Sequence, residues 1–135
     1  MWPQAKRVGR RGVVAAIVAA GLVLAGCGGG GGGGSYKEPV GAPISTVTIE
    51  AGNLFFKPKN LTLNQPGIYT LKLTNTQSGG HTLVFGSKVS GFRLQVSGEG
   101  SSDQRKIEFK TGSYTFWCDV PGHRSGGMEG KITVQ

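Results

Sequence analysis

Cys118, His123 and Met128 fall within eleven residues of one another, in the run Tyr114-Thr-Phe-Trp-Cys-Asp-Val-Pro-Gly-His-Arg-Ser-Gly-Gly-Met-Glu-Gly near the end of the chain. The whole sequence holds only two His, two Cys and two Met. One Met is the initiator, and Cys27 sits in a leader-like region, so the soft metal ligands left for a working protein are His81, Cys118, His123 and Met128. One thiolate, two imidazoles and one thioether form the ligand set of a single copper ion that passes one electron at a time. The thiolate couples strongly to Cu(II), imidazole suits both oxidation states, and the thioether favours Cu(I). Structural zinc draws on four Cys or His ligands and does not use Met. A lone mature cysteine also excludes a copper pair bridged by two thiolates.

Taken singly, each residue has a plainer reading: a buried small thiol, a core-filling thioether, a loop imidazole. The strand phasing argues for the combination. Tyr114, Phe116 and Cys118 share one face of a strand, so the cysteine follows two core aromatics and points inward at the strand's end. His81 shares a face with Leu83 and Phe85 and points inward at the beginning of its own strand. A sandwich can bring two such ends together at one edge of its core, with the loop from Cys118 to Met128 supplying the other two ligands.

The rest of the chain reads as strands and turns. Tyr69, Leu71 and Leu73 alternate with Thr70, Lys72 and Thr74. Phe92, Leu94 and Val96 repeat the pattern, as do Ile107 with Phe109 and Ile132 with Val134. Shorter candidates are Val47 to Glu50, Leu61 to Leu63 and Thr82 to Phe85. Pro58, Pro66-Gly67, Ser78-Gly79-Gly80, Gly98 to Ser102 and Gly112 break these runs. Short strands at this spacing predict an all-β, antiparallel sandwich or barrel. Residues 43–135 suffice for one small domain with a modest core.

The N-terminal part predicts export. Lys6, Arg7, Arg10 and Arg11 precede an apolar run from Val13 to Ala25, which is too short to cross a bilayer core of roughly 30 Å. A basic segment, a short apolar segment and small residues form a secretory signal over residues 1–26. Leu24-Ala25-Gly26-Cys27 resembles the lipobox of bacterial lipoproteins, which implies cleavage after Gly26 and a lipid on Cys27. The alternative is an ordinary signal with a chance cysteine. Seven glycines, Gly28 to Gly34, open a flexible tether that we place over 27–42, with a root-mean-square reach of about 20 Å. Such a tether either lets the domain swing between partners or merely spaces it from lipid.

The formal charge of +8 overstates the basic character, because four of the 15 Lys and Arg lie in the leader and 11 remain against 7 acids. No basic run or aromatic-basic interleaving appears, so no nucleic-acid partner is expected. The modest positive excess suits an acidic redox protein or anionic lipid headgroups. No Ser/His/Asp set survives if both histidines bind metal, no paired carboxylates stand out, and four protein ligands leave no position open for substrate. The expectation is therefore not an enzyme.

Residues 43–135 resemble the cupredoxins, in particular their plastocyanin/azurin group and the auracyanins. The resemblance rests on Phe56-Lys57-Pro58, on Asn75 ahead of His81, on the Tyr114-to-Cys118 pattern and on the His123 and Met128 loop before a final strand. Four residues separate Cys118 from His123, an azurin-like spacing, and four separate His123 from Met128, a plastocyanin-like one. The resemblance implies an eight-stranded Greek-key sandwich and one copper cycling between Cu(I) and Cu(II). It further implies His81, Cys118 and His123 as strong ligands, and Met128 as the weak axial one. Members usually carry Asn directly after the first histidine, where it ties the two ligand-bearing loops together; this chain has Thr82. Trp117, next to Cys118 and on the opposite strand face, would by resemblance pass electrons or meet a partner, or else simply cover the sheet.

The expected protein is thus a monomeric, lipid-anchored electron carrier facing the periplasm or cell exterior, serving a redox donor and acceptor that the sequence leaves unnamed. The alternative is an extracytoplasmic protein for copper acquisition, delivery or detoxification.

Overall fold

The structure is a computed structural model that describes residues 35–135. The signal expected over 1–26, Cys27 and the Gly28–Gly34 run lie outside the described residues.

Among the described residues, nine strands make two sheets packed face to face. They are β1 (Thr46–Gly52), β2 (Phe55–Lys57), β3 (Asn60–Leu63), β4 (Gly67–Asn75), β5 (Gly80–Phe85), β6 (Arg93–Ser97), β7 (Ser102–Phe109), β8 (Gly112–Trp117) and β9 (Glu129–Val134). One sheet runs β2-β1-β4-β7 and the other β3-β9-β8-β5-β6. The architecture is the all-β sandwich that the resemblance implies. The count is nine rather than eight because Phe55–Lys57 and Asn60–Leu63 are separate short strands in different sheets. Pro58 lies between them and carries no N–H for a ladder, so the chain leaves the first sheet there and joins the second.

Two pairings, β1 with β4 and β3 with β9, are parallel, against the antiparallel arrangement expected from strand spacing. Side-chain alternation reports which face a residue occupies and carries no information about strand direction. The faces themselves follow the alternation. In β4, Tyr69, Leu71, Leu73 and Asn75 are buried while the intervening residues are not. In β8, Tyr114 and Phe116 are buried and Ser113 and Thr115 exposed.

The core between the sheets is built around aromatic rings. Phe85 meets Phe92, Phe109, Tyr114 and Phe116 edge to face, with centroids 5.4 to 6.4 Å apart. Phe109 and Phe116 are wholly buried, each contributing about 1.5–3 kcal/mol by leaving water. Tyr114 closes the turn between β7 and β8: its hydroxyl donates to the Lys110 carbonyl at 3.0 Å and accepts the Lys110 N–H at 2.9 Å.

Among the described residues, contact with the sandwich begins at Tyr36, within the range assigned to the tether. The Tyr36 ring meets Phe92 edge-on at 4.9 Å, and its hydroxyl donates to the Lys106 carbonyl at 3.0 Å. Burial, then the charge of Glu38, raises the Tyr36 phenol above its ordinary range. Among the described residues no helix is long and apolar enough to cross a membrane.

Pairing of β5 with β8 fixes the functional end of the molecule. Val84 lies opposite Trp117 and Phe85 opposite Phe116, so the start of β5 and the end of β8 emerge at the same edge of the core.

Candidate metal centre

At that edge, His81 follows the first residue of β5 and Cys118 follows the last residue of β8. Both point inward as the phasing predicts: Cys118 is 0% exposed and His81 3%. Cys118 is a free thiol. His123 comes from the loop between β8 and β9 and is half-buried, consistent with small residues around it.

The donor atoms converge. The Nδ1 atoms of His81 and His123 are 3.3 Å apart, and Cys118 Sγ is 3.4 Å from His123 Nδ1. One donor atom from each of His81, Cys118 and His123 lies within 4.8 Å of the others. Two imidazole nitrogens and a buried sulfur this close together could hold one metal ion. Burial first, and the neighbouring His123 second, lower the His81 pKa, which keeps its imidazole neutral and able to donate a lone pair. Met128 is 0% exposed, so the fourth soft donor also lies inside the fold.

Backbone hydrogen bonds shape the loop that carries His123 and Met128. His123 N–H donates to the Val120 carbonyl, and Met128 N–H donates to the His123 carbonyl, each at 3.0 Å. Cys118 N–H donates to the Met128 carbonyl at 3.1 Å, closing the loop on itself. Gly127 has φ +107, a conformation that L side chains rarely adopt, and it makes the turn that returns Met128 to the core.

The turn in front of His81 is pinned by Asn75, which is 1% exposed. Its side-chain amide donates to the carbonyls of Gly79 (2.8 Å) and Gly98 (2.9 Å). A buried amide with both N–H groups satisfied fixes the turn from which His81 starts.

Thr82 is 3% exposed, although alternation assigns it to the outer face. The β5–β8 ladder ends at Val84 and Trp117, and beyond it the Thr82 side chain takes over the contact. Thr82 Oγ1 accepts the Asp119 N–H at 3.0 Å and donates to Asp119 Oδ1 at 2.6 Å. The Thr82 amide donates to Cys118 Sγ at 3.4 Å. Arg93 on β6 donates to Asp119 Oδ2 and pairs with it. Partial burial works against the Asp119 carboxylate, but the Thr82 hydroxyl, Arg93 and the residue's own amide outweigh it and hold its pKa below the ordinary value. Thr82 with Asp119 therefore joins the two ligand-bearing segments. Sequence reasoning did not find Asp119 or Arg93; the one signal was a carboxylate directly after Cys118.

Trp117 lies on the outer face, as expected, but is half-buried rather than open. The Arg124 guanidinium sits 4.0 Å from its ring centroid, and Arg124 Nε donates to Glu129 Oε2 at 2.6 Å. A cleft of about 790 Å³ beside the ring is lined by Lys59, Pro121, Gly122 and Arg124 among others.

The solved structures most like this one include three auracyanins. Auracyanin B superposes with a TM-score of 0.60 at 22% identity, covering 76% of this chain and 96% of its own. Sodium-dithionite-reduced auracyanin from the photosynthetic bacterium Roseiflexus castenholzii gives 0.57 at 23% identity, covering 70% and 99%. Auracyanin A, a blue copper protein from the green thermophilic photosynthetic bacterium Chloroflexus aurantiacus, gives 0.50 at 21%, covering 67% and 99%. At these identities the likeness shows the fold. A family model for copper binding proteins of the plastocyanin/azurin family matches residues 44–135, the span that holds all four soft donors. With a buried thiol and two imidazoles meeting at one point, the chain belongs to the plastocyanin/azurin family of copper-binding proteins, the cupredoxins.

Proposed function

We propose that this chain is a type 1 copper electron carrier, with His81, Cys118 and His123 as the strong ligands and Met128 as the weak axial one. The observation that carries the reading is the convergence of one thiol and two Nδ1 atoms within 4.8 Å at the edge of a rigid sandwich. Copper bound there supplies a one-electron couple between Cu(I) and Cu(II). The chain's own part is positional. Strands β5 and β8 hold two donors, the hydrogen-bonded loop holds the others, and little has to move when the charge changes. Burial of Cys118, His81 and Met128 excludes water, while half-buried His123 leaves one imidazole edge near the surface for a redox partner. Trp117, adjacent to Cys118 and next to an open cleft, is a second place for such a partner to sit.

The leader pattern and the lipobox-like Leu24-Ala25-Gly26-Cys27 support an exported protein held at the outer face of the cytoplasmic membrane by lipid on Cys27. In that reading, the residues between Cys27 and Tyr36 are the tether, shorter than the 27–42 expected from the sequence, because Tyr36 already packs on the working domain. Its partners are a redox donor and acceptor.

Voltammetry of the copper-loaded chain, with chelator present in both oxidation states, tests the function. A carrier gives a reversible one-electron wave and keeps its copper throughout. Loss of copper to the chelator on reduction, with transfer to a metal-free acceptor, would identify a copper-delivery protein instead.

A further inference from the structure

The Thr82 hydroxyl has a single proton and two acceptors within reach. Asp119 Oδ1 is 2.6 Å from Thr82 Oγ1, and Cys118 Sγ is 3.6 Å away. Sulfur is a weak acceptor at that distance, whereas an O–H···O⁻ contact of 2.6 Å is a charge-assisted bond, roughly twice as strong as a neutral one. The proton therefore goes to the carboxylate. The same oxygen receives the Asp119 N–H at 3.0 Å, which fixes the hydroxyl between two groups of one residue. Cys118 Sγ keeps the Thr82 amide, at 3.4 Å, as its backbone donor. Arg93 holds the other carboxylate oxygen and so sets the orientation that presents Oδ1 to Thr82.

We propose that Asp119, oriented by Arg93, is a positioning residue that draws the Thr82 hydroxyl proton away from Cys118 Sγ and thereby keeps the metal-binding sulfur electron-rich. This inference rests on the copper reading of the site. A hydrogen bond to a thiolate stabilises its lone pairs and weakens their donation to copper; such surrounding contacts tune a metal centre without touching it. Withholding the hydroxyl leaves the sulfur a stronger donor than the hydroxyl's mere proximity suggests. The device is built from Thr82 and from Asp119, the residue directly after the cysteine.

Four variants of the full-length, copper-loaded chain separate charge from hydrogen bonding: Asp119→Asn, Asp119→Ala, Thr82→Val, and the double variant Thr82→Val with Asp119→Ala. Asp119→Asn removes the charge but keeps a carbonyl acceptor for the hydroxyl. Asp119→Ala removes both, so the hydroxyl turns to sulfur. The thiolate-to-copper absorption band then moves to shorter wavelength and the reduction potential rises further than in Asp119→Asn. Thr82→Val breaks the link between the two ligand-bearing segments but gives the sulfur no new proton, so it shifts the band less than Asp119→Ala does. The double variant brings the band back to about its position in Asp119→Asn, which likewise lacks the charge and gives the sulfur no hydroxyl proton. A shift in Thr82→Val as large as that in Asp119→Ala, equal shifts in the two Asp119 variants, or a shift in the double variant as large as in Asp119→Ala would each overturn the proposal. Should Asp119→Ala not fold, Arg93→Gln releases the carboxylate on the surface and is expected to shift the band in the same direction to a smaller extent; no shift there would also overturn it. A native chain with no thiolate-to-copper band would remove the copper reading itself, and this inference with it.

Discussion

Cys118 and Met128 are joined through the backbone: the Cys118 amide donates to the Met128 carbonyl at 3.1 Å, while the Met128 amide donates to His123. The two ends of the ligand loop are thus fastened to each other by the main chain. We expect this fastening to organise the centre before copper binds, so that the cost of ordering the loop falls on folding. The metal-free protein should therefore show slow hydrogen exchange at the Cys118 and Met128 amides, close to that of the β8 amides. Exchange at the rate of an open loop would mean that metal shapes the site.

Copper should stabilise the fold. A ligand that binds only the native state, present at 100 times its dissociation constant, adds about 2.7 kcal/mol. Thermal unfolding should shift upward on adding one equivalent of copper, with no comparable shift in Cys118→Ser. An equal shift in that variant would place the binding elsewhere.

At Gly130 of β9 neighbouring elements approach closely. A Cβ there would lie 2.3 Å from the Lys59 carbonyl oxygen and 2.3 Å from the Phe116 ring, two residues before Cys118. Gly130→Ala forces either the β3–β9 register or the Phe116 ring to move, and overpacking of this kind costs typically 1–3 kcal/mol. We expect a loss of about 2 kcal/mol in denaturant unfolding together with weaker copper binding. Unchanged stability would contradict the packing described.

Tyr36 makes an alkaline prediction. Its phenol is raised above the reference value of 10.0, first by burial and then by Glu38, so the folded state favours the neutral form. That stabilisation is complete below pH 10 and is lost as pH rises through the folded-state pKa. Tyr36→Phe should cost about 1 kcal/mol at neutral pH, for the hydrogen bond to Lys106, and should flatten the loss of stability at high pH. An unaltered alkaline profile would mean that Tyr36 does not pack as described.

Much of the centre was legible because strand periodicity assigns faces. The alternation through Tyr114, Phe116 and Cys118, and through His81, Leu83 and Phe85, directs both strand ligands inward, and both are buried. Periodicity fails where a contact depends on how strands are paired. Thr82 is buried because the β5–β8 ladder stops at Val84, which brings Asp119 against it, and no local pattern encodes that stop. The parallel pairing of β1 with β4 is invisible for the same reason. Strand β2 has three residues with one buried, too few for a period to show. Trp117 was placed on the correct face, but its cover by Arg124 depends on the fold of the ligand loop, seven residues further along the chain.

The central claim is that Cys118 binds copper as a thiolate within this donor set, and the visible absorption spectrum on addition of Cu(II) tests it most directly. The account predicts an intense blue or green thiolate-to-copper band that saturates at one equivalent and is absent in Cys118→Ala. A colourless or faintly coloured product at one equivalent, or a band that survives Cys118→Ala, would contradict it.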